Sequence, residues 1–500
     1  MLYNKIFAIF AVGFFSICAQ TVIFREFLTA FDSGKIAVSF FFFSWLFWVI
    51  FSAFLVGKKP GLRYFMGKHL PFIFLLYIPA FFLQFIIIIF YREIFGLKVF
   101  EIPSFLNLLF HSIILNFPIS ILTGFFFQLS SDFIFNYYKD AVPIVHRVEA
   151  FGAFIAGISS IIFFLFGGRN VSFAIFATII FLFFLSFSFE RKKAIFLSIL
   201  SLILFFLTFF FKVDLIISEK ISEKRWKSII PEGIYLGSFS THQAEYIYGK
   251  YFDQLIFLRN HGIYETFPSE DEQILPLTVA FSQRKNYDNV AIIGSKLPFA
   301  ISFTELSNVK KIHYFPEDIQ YAEKILLKFS QNFNQDLKEK FHLSYSDFLD
   351  FVKSNKDKIN LFFIDLNGFE HPSIERLCSL EFIKAIKRAL RDDSIVIFAF
   401  DSAENYLSDE FALSGSILWN SVRKNFDNVM LLVGEKTFVI GSNSQLAKSR
   451  EEMLLNLKDA QIREKKLRIA PSLINVIADS DRIKIVREKF ENKSNEEQKN

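Results

Sequence analysis

Apolar residues run almost unbroken through the first two hundred positions, then give way to short blocks separated by charge. Segments of membrane-spanning length, about 17 to 25 residues at 1.5 Å rise per residue, fall at 4–24, 36–56, 70–91, 104–130, 144–167, 171–189 and 194–211. This pattern predicts about seven helices. The breaks between them are polar or helix-breaking and too short to be domains: Gly57-Lys58-Lys59-Pro60-Gly61, Gly167-Gly168-Arg169-Asn170 and Glu190-Arg191-Lys192-Lys193.

Beyond Lys212 the pattern changes period. A mixed-charge linker reaches to about Lys227, and Tyr246–Tyr248 and Gln254–Tyr264 then read as short strands with turn residues between them. Apolar strands are expected at Val290–Gly294, Lys311–Phe315, Ile359–Asp365, Ser394–Phe400, Val429–Val433 and Thr437–Gly441. Helices are expected around Tyr321–Phe329, Leu380–Leu390 and Gly415–Asn425. Continuous apolar strands alternating with helices imply a mainly parallel sheet covered on both faces, in which ligands bind beyond the carboxyl ends of the strands. The expected organisation is a multi-pass helical domain (1–212), a linker (213–232), a β-rich subdomain (233–285), a Rossmann-like domain (286–445) and a charged C-terminal tail (446–500) that reads as solvated helix or disorder.

Lysine and arginine in the short loops suggest an orientation. The second loop holds Lys58, Lys59, Arg63 and Lys68, the fourth Lys139 and Arg147, and the sixth Arg191, Lys192 and Lys193, so even-numbered loops should face the cytoplasm. Seven spans would then put the soluble half outside. The first apolar run lacks a small-residue cleavage site and is followed by further spans, so it is expected to be retained rather than removed as a signal peptide.

Composition agrees with a bilayer partner: 52% of residues are hydrophobic and 18% aromatic, and the mean hydropathy is +0.36, above what a soluble core requires. The 72 phenylalanines carry no functional message. A net charge of +5 without a basic stripe interleaved with aromatics argues against nucleic acid. Cys18 and Cys378 supply neither a disulfide framework nor paired thiolates for zinc, and the eight histidines never fall at metal-ligand spacing, so no metal is expected. A nucleophile elbow and a Gly-Lys-Ser/Thr phosphate loop are both lacking. Within or beside the spans lie Gln20, Arg25, Glu26, His111, Asn116, Gln128, His146, Arg147 and Glu149. Each must find a partner in a bilayer or mark a path for substrate. Gly152, Ala153, Ala156 and Gly157 form a small-residue face suited to close helix packing.

The order of segments along about 430 residues resembles the spermidine synthase (polyamine aminopropyltransferase) family, in particular its branch with a multi-span domain before the enzyme-like domain. The matching text is Gly13-Phe-Phe-Ser16 with Gln20 and Arg25-Glu26-Phe27-Leu28, Trp45-Leu46, Glu149-Ala-Phe-Gly152, Leu258–Gly262, Asp271-Glu272, Asp365-Leu366, Leu380-Glu381-Phe382 and Glu404-Asn405-Tyr406-Leu407. The resemblance implies a class I methyltransferase-like (Rossmann-like) fold with an N-terminal β-hairpin region. It also implies decarboxylated S-adenosylmethionine as candidate co-substrate, a nucleoside or polyamine ligand, a homodimer as candidate assembly, a multi-pass place in the cell membrane (a bacterial inner membrane) and a cytoplasmic soluble half.

The resemblance also assigns site residues. The cofactor turn corresponds to Gly294-Ser295-Lys296-Leu297-Pro298, where one glycine of the family's several survives and Pro298 removes an amide donor. The family's ribose-binding acid falls near Pro316, with Glu317 or Asp318 as substitutes. Asp365 occupies the place of the acid that positions or deprotonates the amine, although it could simply cap the next turn. Asn367-Gly368-Phe369-Glu370 follows where a second acid would stand, Ser344 holds another acidic position, and Gln243, Asp271 and Glu272 are the candidate substrate contacts. Three functions stand open: a membrane-anchored spermidine synthase-like protein with altered chemistry, an active aminopropyltransferase (transferase), and a small-cation transporter or sensor with a regulatory enzyme-like domain. A scaffold for membrane partners is a further option.

Overall fold

The computed structural model describes residues 2–31, 35–98, 101, 103–135, 141–260, 262–269, 271–329, 339–345, 348–354, 358–366, 376–401 and 409–497. The chain divides into two compact units, Met1–Tyr264 and Glu265–Asn500.

The first unit is built from α1 (Leu2–Ala30), α2 (Lys35–Lys58), α3 (Pro60–Lys68), α4 (Leu70–Leu75), α5 (Tyr77–Ile89), α6 (Tyr91–Ile94), α7 (Phe105–Leu115), α8 (Phe117–Phe135), α9 (Ala141–Leu165), α10 (Asn170–Ser186), α11 (Arg191–Phe211) and α12 (Val213–Ile229). Among the described residues five stretches are long and apolar enough to cross a membrane: Lys5–Ala30, Ile36–Lys58, Leu70–Ile89, Ala141–Leu165 and Arg191–Phe211. Counting α7 and Phe117–Asp132 as one bent segment makes six, and α10, at 17 residues, is shorter.

The 51° bend between α7 and α8 has a local cause. Pro118 lacks an amide proton and interrupts the helical ladder. The Ile119 amide then donates to Gln84 Oε1 (3.0 Å), Gln84 Nε2 donates to Asn116 Oδ1 (3.1 Å), and Asn116 Nδ2 donates to Ser44 Oγ (2.7 Å). In apolar surroundings each such group left unmet costs several kcal/mol, so the break is stitched to α2 and α5. The predicted small-residue face is half used. A Cβ on Gly152 would meet the Phe10 carbonyl oxygen at 2.4 Å and one on Gly13 the Glu149 carbonyl oxygen at 2.3 Å, so α1 and α9 touch backbone to backbone there; Gly157 has nothing within 4 Å.

The stretch expected as a linker is helix α12. Its Trp226, Ile229 and Ile230 pack on Ile247, Ile256 and Leu258 of an antiparallel sheet formed by β1 (Ile234–Ser240), β2 (Glu245–Tyr251), β3 (Gln254–Arg259) and β4 (Gly262–Phe267), in that order. Gly249 makes room for this contact, since a Cβ there would meet the Trp226 ring at 2.5 Å. The single segment expected over Gln254–Tyr264 is broken by Asn260 in the left-handed region (φ 58°), a conformation asparagine tolerates.

The second unit contains α13 (Asp271–Gln283), β5 (Asn289–Ile293), α14 (Leu297–Ser302), β6 (Lys311–Phe315), α15 (Ile319–Lys328), β7 (Phe341–Leu343), β8 (Ile359–Asp365), β9 (Leu390–Asp401), β10 (Asn428–Val433) and β11 (Lys436–Ser442). The sheet order is β10-β11-β9-β8-β5-β6-β7. Strands β5 to β9 run parallel and β11 is antiparallel to both its neighbours. Numbered from β5, the order is 3-2-1-4-5-7-6, the class I methyltransferase-like arrangement expected from the sequence. Ile293 pairs with Phe315 on one side and Ile364 on the other, and this register brings Gly294, Pro316 and Asp365 to one edge. The segment read as a charged tail belongs to the core: Met453, Leu457 and Ala460 are buried, and Phe490, fully buried, fills the space where a Cβ on Gly415 would meet its ring at 2.4 Å. An apolar stripe at spacing 4 and 3 hides there among charged neighbours.

Candidate functional site at the strand edge of the second unit

Gly294 ends β5 with φ +69°, and a Cβ there would lie 2.6 Å from the Asp365 carbonyl oxygen. Only glycine fits. Its amide donates to the Phe315 carbonyl at 2.9 Å, and the Tyr314 hydroxyl donates to the Ser295 carbonyl at 2.8 Å. The turn is therefore shaped as the sequence suggests, with Ser295 buried beneath it.

What lies next to the turn differs from an open anion cradle. The Leu297 amide, first of α14, donates at 2.9 Å to Glu265 Oε1, and Pro298 has no amide to offer. Glu265 is 1% exposed and its other oxygen accepts from the Tyr321 hydroxyl at 2.8 Å. A carboxylate of the chain thus occupies an amide that could otherwise face a ligand. Asp318 is fully buried and accepts from the Tyr321 amide at 3.1 Å as N-cap of α15, while Glu317 beside it is exposed.

Asp365 ends β8 with its side chain 5% exposed and accepts at 3.1 Å from Lys436 Nζ, which begins β11. Of the other candidates, Asp271 and Glu272 open α13, their side chains outside the described residues, and Gln243 belongs to the first unit. Asn367–Glu370 and Glu404–Leu407 also lie outside the described residues. Gly294, Ser295, Glu317, Asp318 and Asp365 share the edge.

A groove of about 270 Å³ on the same unit is lined by Phe267, Pro298, Ile301, Glu305, Lys466 and Arg468 among others and includes none of the edge residues. Cys378 is buried, and burial pushes its thiol up to about 12, so it is no nucleophile at neutral pH. Among the described residues no group of three or more His, Cys, Asp or Glu side chains could hold a metal. Sequence reasoning missed Glu265 and Lys436. Glu265 sits in an ordinary strand alternation, 32 and 56 residues from its partners, and no local signal marks it.

No family model matches the chain. It is 26% identical over 207 residues to polyamine aminopropyltransferase 2 of Aquifex aeolicus (strain VF5), a match covering 40% of this chain and 41% of that protein. The chain thus spans about two fifths of the length of this curated relative. Similar solved structures include spermidine synthase from Thermotoga maritima (15% identity, 51% of this chain and 87% of that one, TM-score 0.35). A spermidine synthase in complex with the transition-state analogue AdoDATO is also similar (15%, 51% and 88%, TM-score 0.37), as is human methyltransferase-like protein 13 in complex with SAH (13%, 40% and 93%, TM-score 0.31). By its sequence the chain is spermidine synthase-like, akin to the polyamine aminopropyltransferases.

Proposed function

We propose that this chain is an integral, multi-pass membrane protein whose α/β unit binds a nucleoside or polyamine ligand and does not carry out classical aminopropyl transfer. The observation that carries this reading is the internal engagement of the edge: Lys436 on Asp365, Glu265 on the Leu297 amide, and Asp318 on the start of α15. A base that accepts a proton from an attacking amine needs a free oxygen aimed at it. Lys436 instead holds Asp365 Oδ2 at 3.1 Å. The glycine turn survives, so the scaffold for a nucleoside is kept while the groups that would act on it are turned inward.

The bilayer is supported by the faces of the helices. Phe196, Leu202, Phe209 and Phe210 on α11, and Phe43, Ile50 and Phe54 on α2, are each about half exposed or more, an apolar surface far larger than water tolerates. The bent α7–α8 segment decides the parity: without it the long apolar stretches among the described residues number five, and as a full crossing it makes them six.

The test is calorimetric binding to the full chain in detergent, using decarboxylated S-adenosylmethionine, S-adenosylmethionine, methylthioadenosine and putrescine in turn. Saturable binding of at least one, weakened by Gly294→Ala, is the expected result. Absence of binding by all four would overturn the ligand assignment.

A further inference from the structure

The first unit carries a second polar site that the reading above does not use. It lies at the end of the bundle where α1 finishes and α10 starts. Asn170 Nδ2 donates to Glu26 Oε1 at 2.8 Å and Arg25 Nε donates to Asn170 Oδ1 at 3.0 Å. Glu26 Oε2 accepts from Arg225 Nη2, and Arg225 Nη1 lies 3.7 Å from Glu245 Oε2. The Ser222 hydroxyl donates to Glu245 Oε1 at 3.0 Å. The side chains thus form a line, Arg25–Asn170–Glu26–Arg225–Glu245, with a cation at one end and an anion at the other.

Both ends open on one cavity. It measures about 100 Å³ and is lined by Arg25, Asn170, Gln243, Ala244, Glu245 and Asn260 among others. Arg25 is seated with its guanidinium carbon 4.1 Å from the centre of the Phe164 ring. Its Nη1 and Nη2 make no hydrogen bond among the described residues, leaving a planar fork of the kind that grips an oxyanion. Burial pushes the Glu245 carboxyl up, against the pull of Arg225, so this end would gain from a cationic neighbour.

Charge balance selects the ligand. Arg25 and Arg225 offset Glu26 and Glu245, so the line is neutral. A dicationic polyamine would bring uncompensated charge beside Arg25, and a simple anion would bring it beside Glu245. Either would leave a net charge in surroundings where an unpaired ion costs several kcal/mol. A molecule carrying both charges adds none and closes the line into a ring. The volume, about three waters, suits a small one.

We propose that this cavity is a binding site for a small zwitterion, its oxyanion held by Arg25 and its ammonium by Glu245. A free amino acid and the phosphoethanolamine headgroup of a lipid share this chemistry. The test uses the full-length protein. Melting is followed in detergent with millimolar glycine or β-alanine, with putrescine and acetate as singly signed controls, and in nanodiscs of phosphatidylcholine with and without phosphatidylethanolamine.

The expected result is a rise in midpoint with glycine or β-alanine, which identifies a free ligand, or with phosphatidylethanolamine, which identifies the headgroup, and none with putrescine or acetate. Arg25→Gln and Glu245→Gln should abolish the rise. Ala244→Leu, which fills the cavity while leaving every charge in place, should abolish it too and keeps the test valid if the charge variants fail to fold. No response to any zwitterion, an equal response to putrescine or acetate, or a response that survives Ala244→Leu would overturn the proposal.

Discussion

Glu26 in the first unit and Glu265 and Asp318 in the second are buried carboxylates that meet different kinds of donor. In the first, Glu26 is 3% exposed and meets Arg225, itself 6% exposed, so a full ion pair is taken out of water. In the second, Glu265 and Asp318 are as deeply buried but meet neutral donors, the Leu297 amide, the Tyr321 hydroxyl and the Tyr321 amide. The difference follows from the surroundings. Backbone amides in a helical bundle are already spent within the helices, so a carboxylate there needs a side-chain cation. In the second unit the starts of helices offer free amides, on which Glu265 and Asp318 settle, while Asp365 at the same edge meets the Lys436 ammonium.

The largest effect that could break this contrast is expected in the first unit. Arg225→Met should cost about 3–5 kcal/mol by stranding the Glu26 charge, read as loss of the folded protein in detergent extracts. The exposed pair Arg423–Glu491 is the control, its side chains 51% and 44% exposed, and Arg423→Met should cost ~0.5 kcal/mol or less. If the two variants behave alike, the cluster around Glu26 is not holding the bundle.

Gly294→Ala comes next. The left-handed backbone and the contact with the Asp365 carbonyl should together cost about 2–3 kcal/mol, seen as a lowered denaturation midpoint of the α/β unit within the whole chain. Removing a neutral-donor carboxylate should be milder: Asp318→Ala loses the α15 cap and about 1 kcal/mol, with Asp318→Asn retaining most of it. A loss as large as that of Arg225→Met would erase the distinction between the units.

The smallest effect is a dependence on pH. Burial opposes the charge of Glu219, yet hydrogen bonds from Tyr235 and Arg169 hold its carboxyl below the ordinary value. A depressed carboxyl contributes stability that is present above its unfolded value and is lost as the pH falls through the folded one. The side chain is 40% exposed, so screening keeps the contribution under ~1 kcal/mol. Melting followed from neutral to well below about pH 4 should narrow the gap between the native chain and Glu219→Gln, starting near the ordinary glutamate value and continuing through the lower folded one; a constant gap would remove Glu219 from the account.

Much of the fold was legible because its signals are local. The strands at Lys311–Phe315 and Ile359–Asp365 fall where apolar runs placed them, and β5 and β10 lie within one residue of expectation. The glycine turn was legible for the same reason, since Gly294 follows directly on a strand. What escaped depends on distant partners. Arg225 sits in a mixed-charge stretch that reads as solvated, and its burial is decided by Glu26, 199 residues away; Trp226 beside it was the one apolar hint. Lys436 begins a hairpin strand and reads as an ordinary turn lysine, although its ammonium lies against Asp365 from 71 residues away. The bend at Asn116 was hidden because a proline in an apolar run looks alike whether the helix crosses or turns back.

The measurement that bears most directly on the central claim is turnover by the full chain with decarboxylated S-adenosylmethionine and putrescine, following methylthioadenosine and spermidine by mass spectrometry beside Asp365→Asn. The account predicts no product above background and no difference between the two proteins. Steady release of methylthioadenosine by the native chain, lost in Asp365→Asn, would contradict it and show that Lys436 releases Asp365 during catalysis.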